Sequence, residues 1–126
     1  MLNAVRTGCA LAKARGMALD EAFIRELMSA VSEAFNNVVF HGYAGRRGDV
    51  EIEVTNDMCH DTVTVFLRDR GRFFDIEAVP PPPLETLPET GMGLHIMRSF
   101  VDELTFQPGD PNELRLSKRM RRRQTG

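Results

Sequence analysis

Ser32-Glu33-Ala34-Phe35-Asn36-Asn37-Val38-Val39-Phe40-His41-Gly42-Tyr43 decides how the rest of this chain is read. As a helix, the stretch stacks Glu33, Asn37 and His41 at i, i+4 and i+8 on one face. Phe35, Val38 and Val39 point elsewhere, toward apolar surroundings. A carboxylate, an amide and an imidazole on one stripe of a mostly apolar helix are costly to bury without partners. Two readings stay open here. Either the stripe faces water or caps the helix end near Gly42, or it faces a polar ligand.

Working outward, Asp20 is a natural N-cap, with Glu21 in the first turn. Phe23, Leu27, Ala30, Val31, Ala34 and Val38 keep helical spacing from there, and Ile24, Met28 and Phe35 widen the stripe. The pattern predicts a helix to about His41, roughly 30 Å long, enough to cross a sheet. Ahead of it, residues 2–14 predict another helix. Val5, Cys9, Ala12 and Leu11 form its apolar face, Arg6, Lys13 and Arg15 lie outside, and Gly16 stops it.

Beyond the loop at 44–48, Val50, Ile52 and Val54 alternate with Glu51, Glu53 and Thr55. Val63, Val65 and Leu67 repeat the pattern after a turn over 56–61. This predicts a hairpin of half-buried antiparallel strands, broken at Asp69-Arg70-Gly71-Arg72. Pro80-Pro81-Pro82-Pro83 cannot join a regular helix or sheet, so the segment at about 77–90 reads as a lid. Gly91-Met92-Gly93 opens a third helix with Leu94, Ile96, Met97 and Val101 on its apolar side. A strand follows over 101–106, then a turn over 108–112, then a last strand through Leu114 and Leu116. The basic stretch at about 118–126 reads as a solvated tail. The implied fold is α+β: a single domain over 1–126, a two-layer sandwich with helices on one face of a mixed, mostly antiparallel sheet.

The bulk numbers fit that architecture and exclude other classes. The 126 residues are 42% hydrophobic and 27% charged, ordinary for one globular domain. A net charge of −2 gives no global pull toward nucleic acid or an anionic membrane. No apolar run reaches the ~18–20 residues of a membrane span, and no basic-then-apolar leader opens the sequence. Cys9 and Cys59 are far apart and unpatterned, which suits reduced thiols in a cytoplasm.

Glycines at 91 and 93, just before a helix, let backbone approach a ligand where unpaired N–H groups favour phosphate. No Gly-Lys-Ser/Thr follows, so this is no Walker loop. Asp69, with Gly71 two residues on, is either a turn aspartate bonding its own backbone or a carboxylate accepting from an exocyclic amine. Asn37 offers a neutral oxygen suited to Mg²⁺ alongside phosphate oxygens. Glu33, one turn away, could take a proton from an attacking hydroxyl. His60 with Cys59, Asp57 and Asp61 lacks metal-ligand spacing and reads as a surface turn.

Three boxes in order resemble the Bergerat-type ATP-binding domain of the GHKL superfamily, and more closely the anti-sigma-factor serine/threonine kinases. The boxes are Glu33-x-x-x-Asn37 running to His41-Gly42-Tyr43, then Asp69-Arg70-Gly71, then Gly91-Met92-Gly93-Leu94 with its helix. The closing Asn112-Glu113-Leu114-Arg115-Leu116 strand fits as well. The resemblance implies ATP and Mg²⁺ as cofactors. It assigns Glu33 as general base, Asn37 to the metal, Asp69 to adenine, and Gly71, Gly91, Met92, Gly93 and Leu94 to the nucleotide. It implies a serine kinase of a partner-switching system, acting on a STAS-fold anti-sigma-factor antagonist and binding a sigma factor or other regulator, often as a homodimer. It implies no direct contact with nucleic acid or membrane. The alternative is a non-catalytic, nucleotide-dependent binding module. Phe73 stands where the family has a second glycine, and Glu89 and Thr90 where relatives carry an arginine. Relatives often open with a strand ahead of the first helix, which is not evident here. A sensor histidine kinase would need a helical hairpin with a phospho-acceptor histidine, for which no segment of this sequence qualifies.

Overall fold

The computed structural model describes residues 2–39, 48–71 and 93–120. The first element, α1 (Leu2–Ala14), ends as its glycine demands. Gly16 adopts φ +107°, its N–H bonds the Lys13 carbonyl, and the N–H of Met17 reaches back to Ala12. That paired closure satisfies two orphan carbonyls and turns Met17 into the core. Leu11 departs from expectation. It is 54% exposed, because Val5, Gly8, Cys9 and Ala12 define the buried face and Leu11 falls to its side. Gly8 is buried for a steric reason: a Cβ there would lie 2.3 Å from Val54 Cγ1. The bare helix backbone lets α1 sit directly on the sheet.

In α2 (Glu21–Asn37), the Asp20 carboxylate caps the first turn, accepting from the Phe23 N–H at 2.8 Å. Phe23, Leu27, Ala30, Val31 and Ala34 are all buried. Val38 and Val39 continue as a wider, π-type turn. The expected extension to His41, and the Gly42-Tyr43 end of the first box, lie outside the described residues.

The sheet is built from β1 (Val50–Asp57), β2 (Thr62–Asp69), β3 (Glu103–Gln107) and β4 (Asn112–Arg119), with α3 (Gly93–Phe100) between β2 and β3. The strand order is β1-β2-β4-β3, and every described pairing is antiparallel. β2 and β4 are central, so Val63, Val65, Leu67, Leu114 and Leu116 are buried to 1% or less. They join the buried residues of all three helices in one core cluster, giving the two layers that the alternation implied. On the open face, Arg68 is bracketed by Glu113 and Glu53 at 2.9 Å each and by Glu51 at 3.6 Å, with its guanidinium 5.0 Å from the Phe66 ring centre. Hydrogen bonds to Glu113 and then Glu53 hold its pKa above the usual arginine range.

Three boundaries are corrected. The hairpin turn is only 58–61, because β1 continues to Asp57. Asn112 belongs to β4 rather than to a turn. Lys118 and Arg119 are β4 residues rather than the start of a solvated tail: period two from Leu114 and Leu116 aims Lys118 into the core face. The lid at about 77–90, Phe73, Glu89, Thr90 and residues 121–126 lie outside the described residues. No described helix is long and apolar enough to cross a membrane.

Candidate functional site

Glu33 and Asn37 sit half-buried on the last turns of α2. The Asn37 amide turns back along its own helix, Nδ2 donating to the Glu33 carbonyl oxygen at 3.0 Å. That bond occupies the donor end of the amide and leaves Oδ1 as its acceptor. A neutral oxygen fixed in this way, with a carboxylate one turn earlier, is a donor set suited to a hard cation that shares phosphate oxygens.

Asp69 closes β2 on the core face, 3% exposed. Its Oδ1 accepts the N–H of Gly71 at 2.8 Å and Nδ2 of Asn112 at 3.2 Å. Asn112, opposite it in register and equally buried, also donates to the Gly71 carbonyl at 3.0 Å. Its own Oδ1 accepts the Gly109 N–H at 3.0 Å. Asp69 is therefore a turn aspartate and a buried carboxylate at once. Asn112, which the sequence gives both to a turn over 108–112 and to the head of the closing strand, belongs to the strand. The cue was present: Asn112, Leu114 and Leu116 share a period of two, and Pro111 marks a strand start.

Gly93 begins α3, whose first-turn N–H groups have no helical acceptor. Leu94 follows in that turn, while Gly91 and Met92 fall outside the described residues. His95 is exposed. The Asp57–His60 pair lies in the surface hairpin at 2.7 Å, and its hydrogen bond to His60 lowers the Asp57 pKa. Among the described residues no group of three or more His, Cys, Asp or Glu side chains could hold a metal.

Lys118 ties α2 and the end of α3 to the sheet. Its Nζ pairs with Glu26 of α2 at 2.8 Å and donates to the Phe100 carbonyl that ends α3. From that anchor α2 runs about 16 Å to Asn37, and β4 runs about 20 Å back to Asn112. The apolar stripe of α2 joins the core over the sheet, and α3 packs against α2. Among the described residues, no hydrogen bond or ion pair joins Glu33 or Asn37 to Asp69.

A family model described as a histidine kinase-like ATPase domain matches residues 2–118. The serine-protein kinase RsbW of Oceanobacillus iheyensis is 33% identical over 64% of this chain and 56% of its own length. The protein of that name from Bacillus cereus strain B4264 is 27% identical over 94% of this chain and 76% of its own. The anti-sigma F factor of Heyndrickxia coagulans is 38% identical over 63% of this chain. The chain thus spans about half the length of some curated relatives (56% in the Oceanobacillus protein). In three dimensions it resembles the histidine kinase domain of the Erythrobacter litoralis EL346 blue-light activated histidine kinase. The TM-score is 0.58 at 19% identity, covering 77% of this chain and 44% of that one. That likeness speaks for the fold, and the names of the sequence relatives agree with the resemblance to anti-sigma-factor kinases. By the extent of the family match and by its architecture, this chain belongs to the histidine kinase-like ATPase domain family.

Proposed function

We propose that the chain is an ATP-dependent protein serine kinase of a partner-switching system, transferring phosphate to a serine of a STAS-fold anti-sigma-factor antagonist and binding a sigma factor or another regulator. Relatives named serine-protein kinase and anti-sigma F factor support this reading. The observation that carries it is the polar stripe on α2, with the Asn37 amide bonded back to the Glu33 carbonyl.

In this reading the serine hydroxyl attacks the γ-phosphorus, Glu33 accepts its proton, the bond to the β-phosphate oxygen breaks, and ADP leaves. Asn37 Oδ1 would hold Mg²⁺, which when bound would neutralise triphosphate charge. Asp69 accepts the exocyclic amine of adenine. Gly71, Gly91, Met92, Gly93 and Leu94 border the nucleotide, and the free N–H groups at the α3 start favour its phosphates. Positioning and charge neutralisation are the main demands of phosphoryl transfer. Two free cysteines suit a cytoplasmic setting, and a homodimer is the proposed assembly.

Incubation with γ-labelled ATP, Mg²⁺ and a candidate STAS protein tests the reading. Label should pass to one serine, and Glu33→Ala should abolish nearly all transfer while ATP still binds. Undiminished transfer by that variant overturns the base assignment. ATP binding without transfer to any partner favours the binding-module alternative.

A further inference from the structure

We infer that the outer groove between α1 and α2 is a docking surface for an acidic amphipathic helix of a partner protein. The inference goes beyond the nucleotide site and does not depend on it.

The groove follows from the helical period. On α2, Glu21, Ile24, Arg25, Met28 and Ser32 recur at intervals of three and four on one side of the helix. They flank the buried stripe that faces the sheet. On α1, Leu2 and Arg6 stand one turn apart. Together these side chains border an open cavity of about 260 Å³. From Glu21 to Ser32 the α2 wall is about 16 Å long, three helical turns.

The floor is apolar. Ile24 and Met28 are only partly buried; each packs on the core and also lines the groove. Leu2 joins them from α1, 36% exposed. The walls select a sign. Arg6 and Arg25 are both exposed, and neither has a hydrogen bond or ion pair with a described residue. In this they differ from Arg68, ringed by three glutamates, and from Lys118, paired with Glu26. Glu21, the acid at the rim, lies in the first turn of α2, where its own helix start favours a carboxylate.

An apolar strip between two uncommitted guanidiniums fits one kind of occupant. A helix with apolar residues at i, i+3 or i+4, and i+7 fills the floor. Asp or Glu beside them pairs with the arginines, whose planar forks match carboxylates. Two cations in a chain of net charge −2 are too few to hold a polyanion. A flat lipid surface would meet the arginines without filling the groove.

The test is fluorescence anisotropy on the full chain with a labelled, side-chain-stapled helix of about 14 residues, long enough to span the groove. It carries Leu in the spacing above and Glu on both flanks. One control shuffles the same residues out of helical period, and another replaces every Glu with Lys. Wild type should favour the acidic helix over either control by roughly tenfold or more. Arg6→Glu/Arg25→Glu changes only exposed positions, with circular dichroism verifying the fold. It should weaken the acidic helix roughly tenfold, the scale of two surface ion pairs, and should prefer the Lys version. Leu2→Gln should weaken the acidic helix several-fold with no charge altered. A double variant that still prefers the acidic helix overturns the inference. So does equal binding of the shuffled peptide, or no binding of the acidic helix by wild type at about 1 mM. None of these outcomes bears on ATP binding or transfer, so the nucleotide reading stands or falls separately.

Discussion

The two ends of β4 each turn a polar side chain into the core face, and they use it differently. At the far end, Lys118 finds all its recorded partners within the protein: the Glu26 carboxylate at 2.8 Å, the Phe100 carbonyl, and the Phe23 ring 5.5 Å away. Nearby, Asp102 accepts the Arg119 N–H at 2.7 Å. One cation there ties α2 and the end of α3 to the sheet. At the near end, Asn112 organises the Asp69 carboxylate but fills only one of its oxygens. The difference separates a fastener from a reader. A buried polar group whose partners are all internal contributes to stability, whereas a carboxylate with one oxygen not engaged by the described residues keeps acceptor capacity for the recognition role proposed above.

The largest test of this contrast is on the reading side. Glu33→Ala should lower transfer to a STAS partner by about 10²-fold or more, the scale of a lost general base, with little change in the urea midpoint. A comparable loss of stability would mean that α2 needs Glu33 as a structural residue. On the fastening side, Lys118→Met should cost about 1–3 kcal/mol by leaving the Phe100 carbonyl unpaired, seen in urea unfolding, while ATP affinity stays fixed. A changed affinity would show the two ends to be coupled. Gly8→Ala lies between them. Its new Cβ at 2.3 Å from Val54 should cost about 1–3 kcal/mol by overpacking, recovered in part by Val54→Ala and again without effect on ATP affinity.

The smallest effect belongs to the exposed hairpin at the fastening end. Asp57 has a lowered pKa from its bond to His60. A carboxyl lowered in the folded state contributes stability above its unfolded pKa of about 3.9, and that contribution is lost as pH falls through the folded value. Asp57→Asn should therefore reduce the thermal midpoint slightly at neutral pH, with the difference closing in acid. A difference that grows on acidification would contradict the sign.

Much of this was legible in the sequence where the physics is local. Asp20 caps its own helix, Gly16 turns the chain two residues past Ala14, and the alternation of Val50, Ile52 and Val54 marks a half-buried strand. What escaped depends on distant partners. Asn112 looks like turn chemistry until β2 brings Asp69 opposite it, 43 residues away. Lys118 looks like the head of a basic tail until α2 supplies Glu26 and Phe23. Gly8 is an unfavourable residue inside a helix unless Val54 is known to lie beneath it. Leu11 was misplaced because a glycine, invisible to hydrophobic spacing, holds the centre of the buried face. Of the candidate site, the motifs single out Glu33, Asn37, Asp69 and Gly71, while the bond from Asn112 to Asp69 emerges only from the pairing of β2 with β4.

The two thiols have a practical consequence. Cys9 is 1% exposed and burial raises its pKa, so it resists alkylation while the chain stays folded. Cys59 stands exposed in the β1–β2 hairpin, at the opposite end of the sheet from Asp69. A maleimide dye or sensor chip should therefore attach to the unaltered protein at one defined point. Nucleotide affinity could then be followed optically without engineering a tag.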